Sequence, residues 1–394
     1  MKESGTALES CIKNPHFAND ISVGNESGGE FRLNYNLLRA KEVFFIMVLS
    51  TGLFNHVILI PMLLEAAARD AWLSVLASFF PFLLFIWMIY YITKNTEQEK
   101  ITTWLKNRYG KFLAALFVLP LLFILFVHAC ITFLDTSYWA EIYFLPTTPS
   151  FLVSAVVLTS CYWLSTRTLK VLAIMSTIVL PLVVMLGFFI MSVNTTQKDI
   201  EYLFPLFLNG YVPFLKGVFY ALSGLTEIFV IILIQHHLTQ KIKFKEIFWL
   251  GFVLVGLTVG PLSAAIMEFG PVEARNFAFP AYEEWKLLKI GEFISRLDFL
   301  AMFQWVSGAF FRISLFLYII NQYLNKRKNK FFLPFLFLMI YGTTFLKLDT
   351  YDINKFLYVF FLPFCLILVV TVTTVLTFFV YLSKRKEKKP LEKS

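Results

Sequence analysis

Ten long apolar stretches constrain this chain more than any other feature, near residues 43–64, 71–93, 112–142, 150–165, 170–193, 212–238, 246–269, 297–323, 331–346 and 356–382. Runs of roughly 20 apolar residues match the hydrocarbon thickness of a bilayer. A soluble fold of 394 residues has no place for a sequence that is 58% hydrophobic, with 46 Phe and only 15% charged residues. The expectation is an all-α integral membrane protein with ten transmembrane helices. The membrane domain then covers residues 40–383, with a polar, flexible cytoplasmic N-terminal tail at 1–39 and a basic cytoplasmic C-terminal tail at 384–394.

The net charge of +9 reflects topology rather than nucleic acid binding. With the N-terminus cytoplasmic, the cytoplasmic loops and C-terminal tail carry 20 Lys and Arg residues, against nine on the outer side, counting Lys216 at the start of the sixth span. The positive-inside rule therefore places both termini in the cytoplasm, as an even number of spans requires. No apolar core precedes a small-residue cleavage site near Met1, so no cleaved signal peptide is expected. Cys11, Cys130, Cys161 and Cys365 show neither metal nor redox spacing and read as packing residues.

Catalytic signatures are missing: there is no P-loop, no Rossmann glycine pattern, no HExxH and no serine nucleophile elbow. His236 and His237 point about 100° apart on a helix with no third ligand nearby, and fit a helix C-terminal end. No cofactor, no metal and no enzymatic activity are expected.

Two spans are interrupted at matching points in the two halves. The first breaks around Thr51-Gly52-Leu53-Phe54-Asn55-His56, the sixth around Ser223-Gly224-Leu225-Thr226-Glu227. Interrupted spans in corresponding positions point to a midplane site on discontinuous helices. A half-helix that restarts offers free N–H groups near Asn55 and Val57, while carbonyls near Ser50–Gly52 and Ala221–Ser223 face an ammonium. A zwitterionic amino acid suits that pair. The candidate ligand residues are Thr51, Gly52, Phe54, Asn55, His56, Ser223, Gly224, Thr226 and Glu227. Either glycine could instead permit close helix contact.

Two charges lie deep in apolar sequence. Glu227 has two readings: receiver of a ligand ammonium or proton, or structural cap or ion-pair member. Arg312 is a possible charge partner for Glu227, with direct ligand contact or snorkelling as alternatives. His128 reads as a satisfied interior histidine, and Asp135 and Glu141 as residues approaching the outer interface. Residues 270–296 form the longest outer connection, where Phe279-Pro280-Ala281-Tyr282-Glu283-Glu284-Trp285 predicts a short helix across the outer mouth, a lid or an aromatic anchor. Residues 101–109 predict a cytoplasmic amphipathic helix.

Ile60-Pro61, Ala68-Arg69-Asp70-Ala71-Trp72, Leu222 to Glu227, Arg296-Leu297-Asp298, Trp305, Phe311 and Arg312 together carry a resemblance. Over residues 34–385 the chain resembles the B subunit of spore nutrient-germinant receptors, the GerAB-type spore germination proteins of the amino acid–polyamine–organocation transporter superfamily. The resemblance implies a five-plus-five inverted repeat around a small-molecule pocket. It also implies nutrient sensing in the inner spore membrane, with a membrane A subunit and a lipoprotein C subunit as partners. Where relatives often carry paired glycines in the first break, this chain has Leu53-Phe54-Asn55-His56. A secondary transporter of amino acids or amines, or an assembly subunit with a vestigial pocket, shares the same architecture.

Overall fold

The structure, a computed structural model, describes residues 22–24, 30–32, 37–288, 297–325, 327–346 and 348–388. The tail expected over residues 1–39 lies mostly outside the described residues; within it, β1 (Ser22–Gly24) pairs antiparallel with β2 (Glu30–Arg32). The rest is an all-α bundle. In chain order the helices are α1 (Ala40–Leu53), α2 (Leu59–Ala67), α3 (Ala71–Asn95), α4 (Ile101–Tyr109), α5 (Lys111–Tyr143), α6 (Ser150–Ser165), α7 (Leu169–Val193) and α8 (Tyr211–Leu225). Next come α9 (Val230–Ile234), α10 (Phe244–Asn276), α11 (Pro280–Lys286), α12 (Phe299–Leu324), α13 (Phe332–Gly342), α14 (Thr350–Phe356) and α15 (Leu362–Lys388).

Among the described residues, seven helical runs are long and apolar enough to cross a membrane, with shorter apolar helices at Ser150–Ser165 and Phe332–Leu346. The first run, Ala40–Asn95, contains the first two predicted spans. They meet at Ala68, whose φ of 46° turns the chain between α2 and α3. Other boundaries reflect local chemistry. Gly110, at φ 93°, separates the short α4 from α5. Gly270, at φ 76° and directly before Pro271, kinks α10 beyond the predicted end of the seventh span.

Burial separates inner from outer helices. The runs Ala40–Asn95 and Tyr211–His237 are the most enclosed, whereas Leu169–Gln197 and Thr350–Lys386 turn most of their apolar surface outward. Phe80, Phe112, Phe188, Phe204 and Phe360 are all at least half exposed, a surface that lipid covers and water would not tolerate. The long apolar helices and this outward apolar surface fit an integral membrane protein.

The first and sixth spans are joined at one end before they meet in the middle. The Leu38 amide donates to the His237 carbonyl at 2.6 Å, and the Thr239 amide donates to the Leu38 carbonyl at 2.8 Å. Neighbouring polar groups complete this end: Gln235 accepts from the Thr96 hydroxyl and donates to the Glu99 carbonyl, and Tyr323 donates to the Leu233 carbonyl. His236 and His237 thus sit in a helix-terminal turn. The predicted amphipathic α4 packs Ile101, Trp104 and Leu105 inward.

Close approach of α8 to α2 and α3 depends on Gly217, where a Cβ would lie 2.5 Å from Ser74 Oγ and 2.8 Å from Ala67 Cβ. Gly217→Leu is expected to lower stability by ~1–3 kcal/mol, the usual cost of overpacking. Gly342→Ala, with nothing within 4 Å of the added carbon, serves as the control. Melting temperatures of the two purified variants check this, and equal melting would remove the packing argument.

Candidate functional site

Both interrupted spans change their winding without unwinding. Phe54–Ile58 forms a π turn between α1 and α2, and the Leu59 amide reaches back five residues to the Phe54 carbonyl. Thr226–Phe229 forms a 3₁₀ turn between α8 and α9. The dihedrals at Leu53, Phe54, Leu59, Leu225, Thr226 and Val230 all stay in the right-handed helical region. The expectation of unwound chain with free amides and carbonyls is therefore corrected. In an apolar interior an unpaired amide costs several kcal/mol, and tighter or looser winding avoids that by redirecting hydrogen bonds.

Arg312 lies near the middle of α12 and is fully buried. A guanidinium has five N–H donors, and each finds an acceptor here. Nε donates to Thr132 Oγ1 at 2.9 Å. Nη1 donates to Glu227 Oε1 at 2.5 Å and to the Ser50 carbonyl at 3.2 Å. Nη2 donates to Glu227 Oε2 at 2.5 Å and meets His128 Nδ1 at 2.9 Å. That last bond makes Nδ1 the acceptor and puts the imidazole proton on Nε2, 3.9 Å from Glu227 Oε2. Phe54 and Phe316 each lie 4.7 Å from the guanidinium carbon, adding cation–π contact.

Glu227 is paired bidentately with Arg312 and also accepts from Thr51 Oγ1 at 2.9 Å. The pair therefore ties together α1, α5, α12 and the 3₁₀ turn after α8. A second π turn, Leu357–Phe361, brings Phe361 to 4.9 Å from His128, and Phe54 lies at the same distance on edge.

The remaining candidates divide between two places. Asn55 is fully buried against Gly224, and neither its amide nitrogen nor its carbonyl oxygen has a hydrogen-bond partner among the described residues. A Cβ on Gly224 would clash with Asn55 Oδ1 and come within 2.7 Å of Leu59 Cδ2. Ser223 and Thr226 hydroxyls return to the Phe219 and Ser223 carbonyls of their own helix. The two interruptions thus pack directly on each other.

The cavity lies on the other side of α1. It measures about 530 Å³ and is bounded by α1, α7, α10, α11 and α12. Of the nine predicted ligand residues, Gly52 and His56 line it. His56 Nδ1 contacts the Leu257 carbonyl at 3.2 Å. No residue of the sixth span is on its wall. Exposed Phe188 and Phe252 flank it, so it is a crevice opening sideways between α7 and α10.

At one end stands Glu284, on the short helix predicted to cross the mouth. Burial, then the nearby Glu268 charge, pushes its carboxyl well above the ordinary carboxylate range, and Lys198 opposes that shift. Part of the predicted 270–296 connection, residues 289–296, lies outside the described residues.

The sequence reading passed over Thr132 and underrated His128. Their spacing of four residues puts both on one face of α5, a signal that a mid-span arginine could have made informative. Phe316 likewise lies one helical turn after Arg312.

Fold and site together define an all-α membrane protein with a buried ion-pair network beside a lateral crevice. The chain belongs to the spore germination protein family, the spore permeases, whose sequence pattern matches residues 38–356. It is similar to spore germination protein XB of Bacillus anthracis, 34% identical over 350 residues, covering 88% of this chain and 98% of that protein. It is also similar to the putative spore germination protein YfkT of Bacillus subtilis (strain 168), 25% identical over 279 residues, 70% of this chain and 75% of the relative. Spore germination protein KB of the same strain is 24% identical over 299 residues, 72% of this chain and 78% of the relative. Family membership fits a non-enzymatic function, and no His, Cys, Asp or Glu group able to hold a metal occurs among the described residues.

Removing one partner of a buried ion pair leaves the other charge unpaired, at a cost of about 3–5 kcal/mol. Arg312→Met and Glu227→Gln are each expected to reduce folded protein severely, and Arg312→Met with Glu227→Gln to recover part of the loss. The yield of monodisperse protein in detergent reads this directly. A double variant poorer than either single variant, with the two losses simply added, would mean the two charges act independently.

Proposed function

We propose that the chain is the nutrient-sensing B subunit of a spore germination receptor. It binds a small molecule at mid-membrane and passes the resulting rearrangement to partner subunits. The observation that carries this reading is the division of labour across the end of α1 and the π turn that follows it. Thr51 and Phe54 hold the Glu227–Arg312 network, while the intervening Gly52, and His56 two residues further on, face the crevice. A ligand beside Gly52 and His56 therefore presses on the same turn that positions the ion pair. It shifts the population of α1 arrangements by its difference in affinity between them.

Several finer features accompany this reading. Counting Ala40–Asn95 as two spans and including the shorter apolar helices gives ten, in keeping with a five-plus-five inverted repeat. The interruptions at Phe54–Ile58 and Thr226–Phe229 then occupy equivalent positions in the two halves. The surplus of Lys and Arg in alternate loops supports cytoplasmic termini. The membrane domain spans 40–383 with tails at 1–39 and 384–394. A membrane A subunit, a lipoprotein C subunit and the inner spore membrane complete the assembly, with an amino acid as the nutrient implied by family resemblance. Phe54, Asn55, Ser223, Gly224 and Thr226 belong to the moving contact between the interrupted spans.

Gly256 lines the crevice, and nothing lies within 4 Å of a Cβ added there. Gly256→Trp is therefore expected to fill the crevice without disturbing the helix contacts. Spores carrying it as their only copy should contain normal amounts of the protein yet lose the nutrient response. Wild-type germination in those spores would sink the sensing reading. Ligand flux into liposomes containing this chain alone would instead favour a secondary amino acid or amine transporter.

A further inference from the structure

The crevice is chemically one-sided. Among the described residues no Lys or Arg lines it, and its one carboxyl group is Glu284. The rest of the wall is mainly aliphatic and aromatic, with His56 and Gln304 as further polar side chains. Its volume of about 530 Å³ falls within the usual range for small-molecule sites.

Glu284 is only 3% exposed, and among the described residues its Oε1 has no hydrogen-bond partner. The nearby groups explain why. Asn194 Nδ2 donates to the Glu284 backbone carbonyl at 2.8 Å and to Glu268 Oε2 at 3.3 Å, which fixes the segment without engaging Glu284 Oε1. Lys198 Nζ stands 3.7 Å from Glu268 Oε1, so the local cation is committed to the other carboxylate. Glu284 Oε1 therefore stands without a partner among the described residues in an apolar crevice, and a cation arriving there would favour the ionised form of its carboxyl. A buried carboxylate in that position calls for a donor.

We infer that the crevice takes an organic ammonium ligand, its cationic head on the Glu284 carboxylate and its apolar body along α1, α7 and α10. Trp285 and Trp305 also line the site and offer aromatic surface to a cation. A free carboxylate on the ligand finds no cation among the described residues of the lining, so amines fit better than the corresponding amino acids. This rests on the crevice being the sensing site and narrows what it senses.

The test uses the full-length protein in phosphatidylcholine nanodiscs with three probes of similar shape: 2-phenylethylamine, 2-phenylethanol and phenylalanine. Tryptophan fluorescence tracks binding, since two crevice residues are Trp285 and Trp305. The amine should bind at least ~10-fold tighter than the alcohol, the scale of a hydrogen bond to a charged group, and tighter than phenylalanine. Glu284→Gln, which keeps the side-chain shape, should erase the amine's advantage; the alcohol, resting on the apolar wall, reports whether the variant crevice is intact. Equal affinities for amine and alcohol in the wild type, or an advantage that survives Glu284→Gln, would overturn the ammonium assignment. If Gly256→Trp still abolishes binding of both probes, the crevice remains the ligand site and only its ligand class is wrong. If no probe binds and native mass spectrometry finds a lipid held in the crevice, the assignment fails as well. The sensing reading then stands or falls on the Gly256→Trp spores.

Discussion

A fully buried guanidinium in an apolar bundle has few tolerable arrangements, and much of the centre of this protein is organised around the one it adopts. Arg312 cannot shed its charge, so every donor must be satisfied inside the protein. Glu227 neutralises it, and Thr132, His128 and the Ser50 carbonyl take the remaining donors. These acceptors come from α1, α5 and the turn after α8, so the requirement of one side chain fixes the relative positions of elements distant in sequence. The phenyl rings of Phe54 and Phe316 cover the cation with aromatic surface. Phe54 thus has a specific place here: its ring packs over Arg312.

The irregular windings belong to the same arrangement. A π turn inserts an extra residue into the helical path and so rotates the downstream half of the span relative to the upstream half. Starting at Phe54, it allows Thr51 and Phe54 to face the ion pair while His56 faces the crevice. The 3₁₀ turn at Thr226–Phe229 contains Glu227 and coincides with the close packing of Gly224 on Asn55. Asn55 remains without hydrogen bonds in the middle of this contact. A buried unsatisfied amide is a local cost of roughly 1–3 kcal/mol, and a shift between the first and sixth spans that supplied a partner would recover it. The contact is therefore poised against its own packing.

The helical class, the long apolar runs and the positions of both irregular turns were legible because hydropathy, mid-span glycines and deep charges are local signals. Arg312 and Glu227 stood out for the same reason: charges are rare in apolar runs. The meeting of faces could not be read. Thr51 and Gly52 are adjacent in sequence but face different surroundings, the ion pair and the crevice, and only the register of α1 against its neighbours decides between them. The space expected to hold a pocket between the interruptions is filled in this structure. Gly224 does leave space, and the Asn55 side chain fills it. Glu284 was visible only as one of two adjacent acids, because its burial depends on α10, the Asn194 region and Lys198 converging from elsewhere.

In the proposed mechanism, coupling between crevice and ion pair would arise from how little slack the network has. A surface salt bridge yields gradually as water replaces its partners, but here no water replaces a lost donor or acceptor. A displacement of α1 that stretched the Thr51 and Ser50 contacts would strip Glu227 and Arg312 of partners drawn from the same helix. Intermediate positions are accordingly the costly ones, and the arrangement favours discrete alternatives over continuous drift. A ligand in the crevice touches that helix on another face and needs only a modest preference between two such alternatives to redistribute them. Under the proposed sensing function, the charge at the centre would convert occupancy of an apolar crevice into a change that reaches α5 and α12, neither of which need contact the ligand at the points where they hold Arg312.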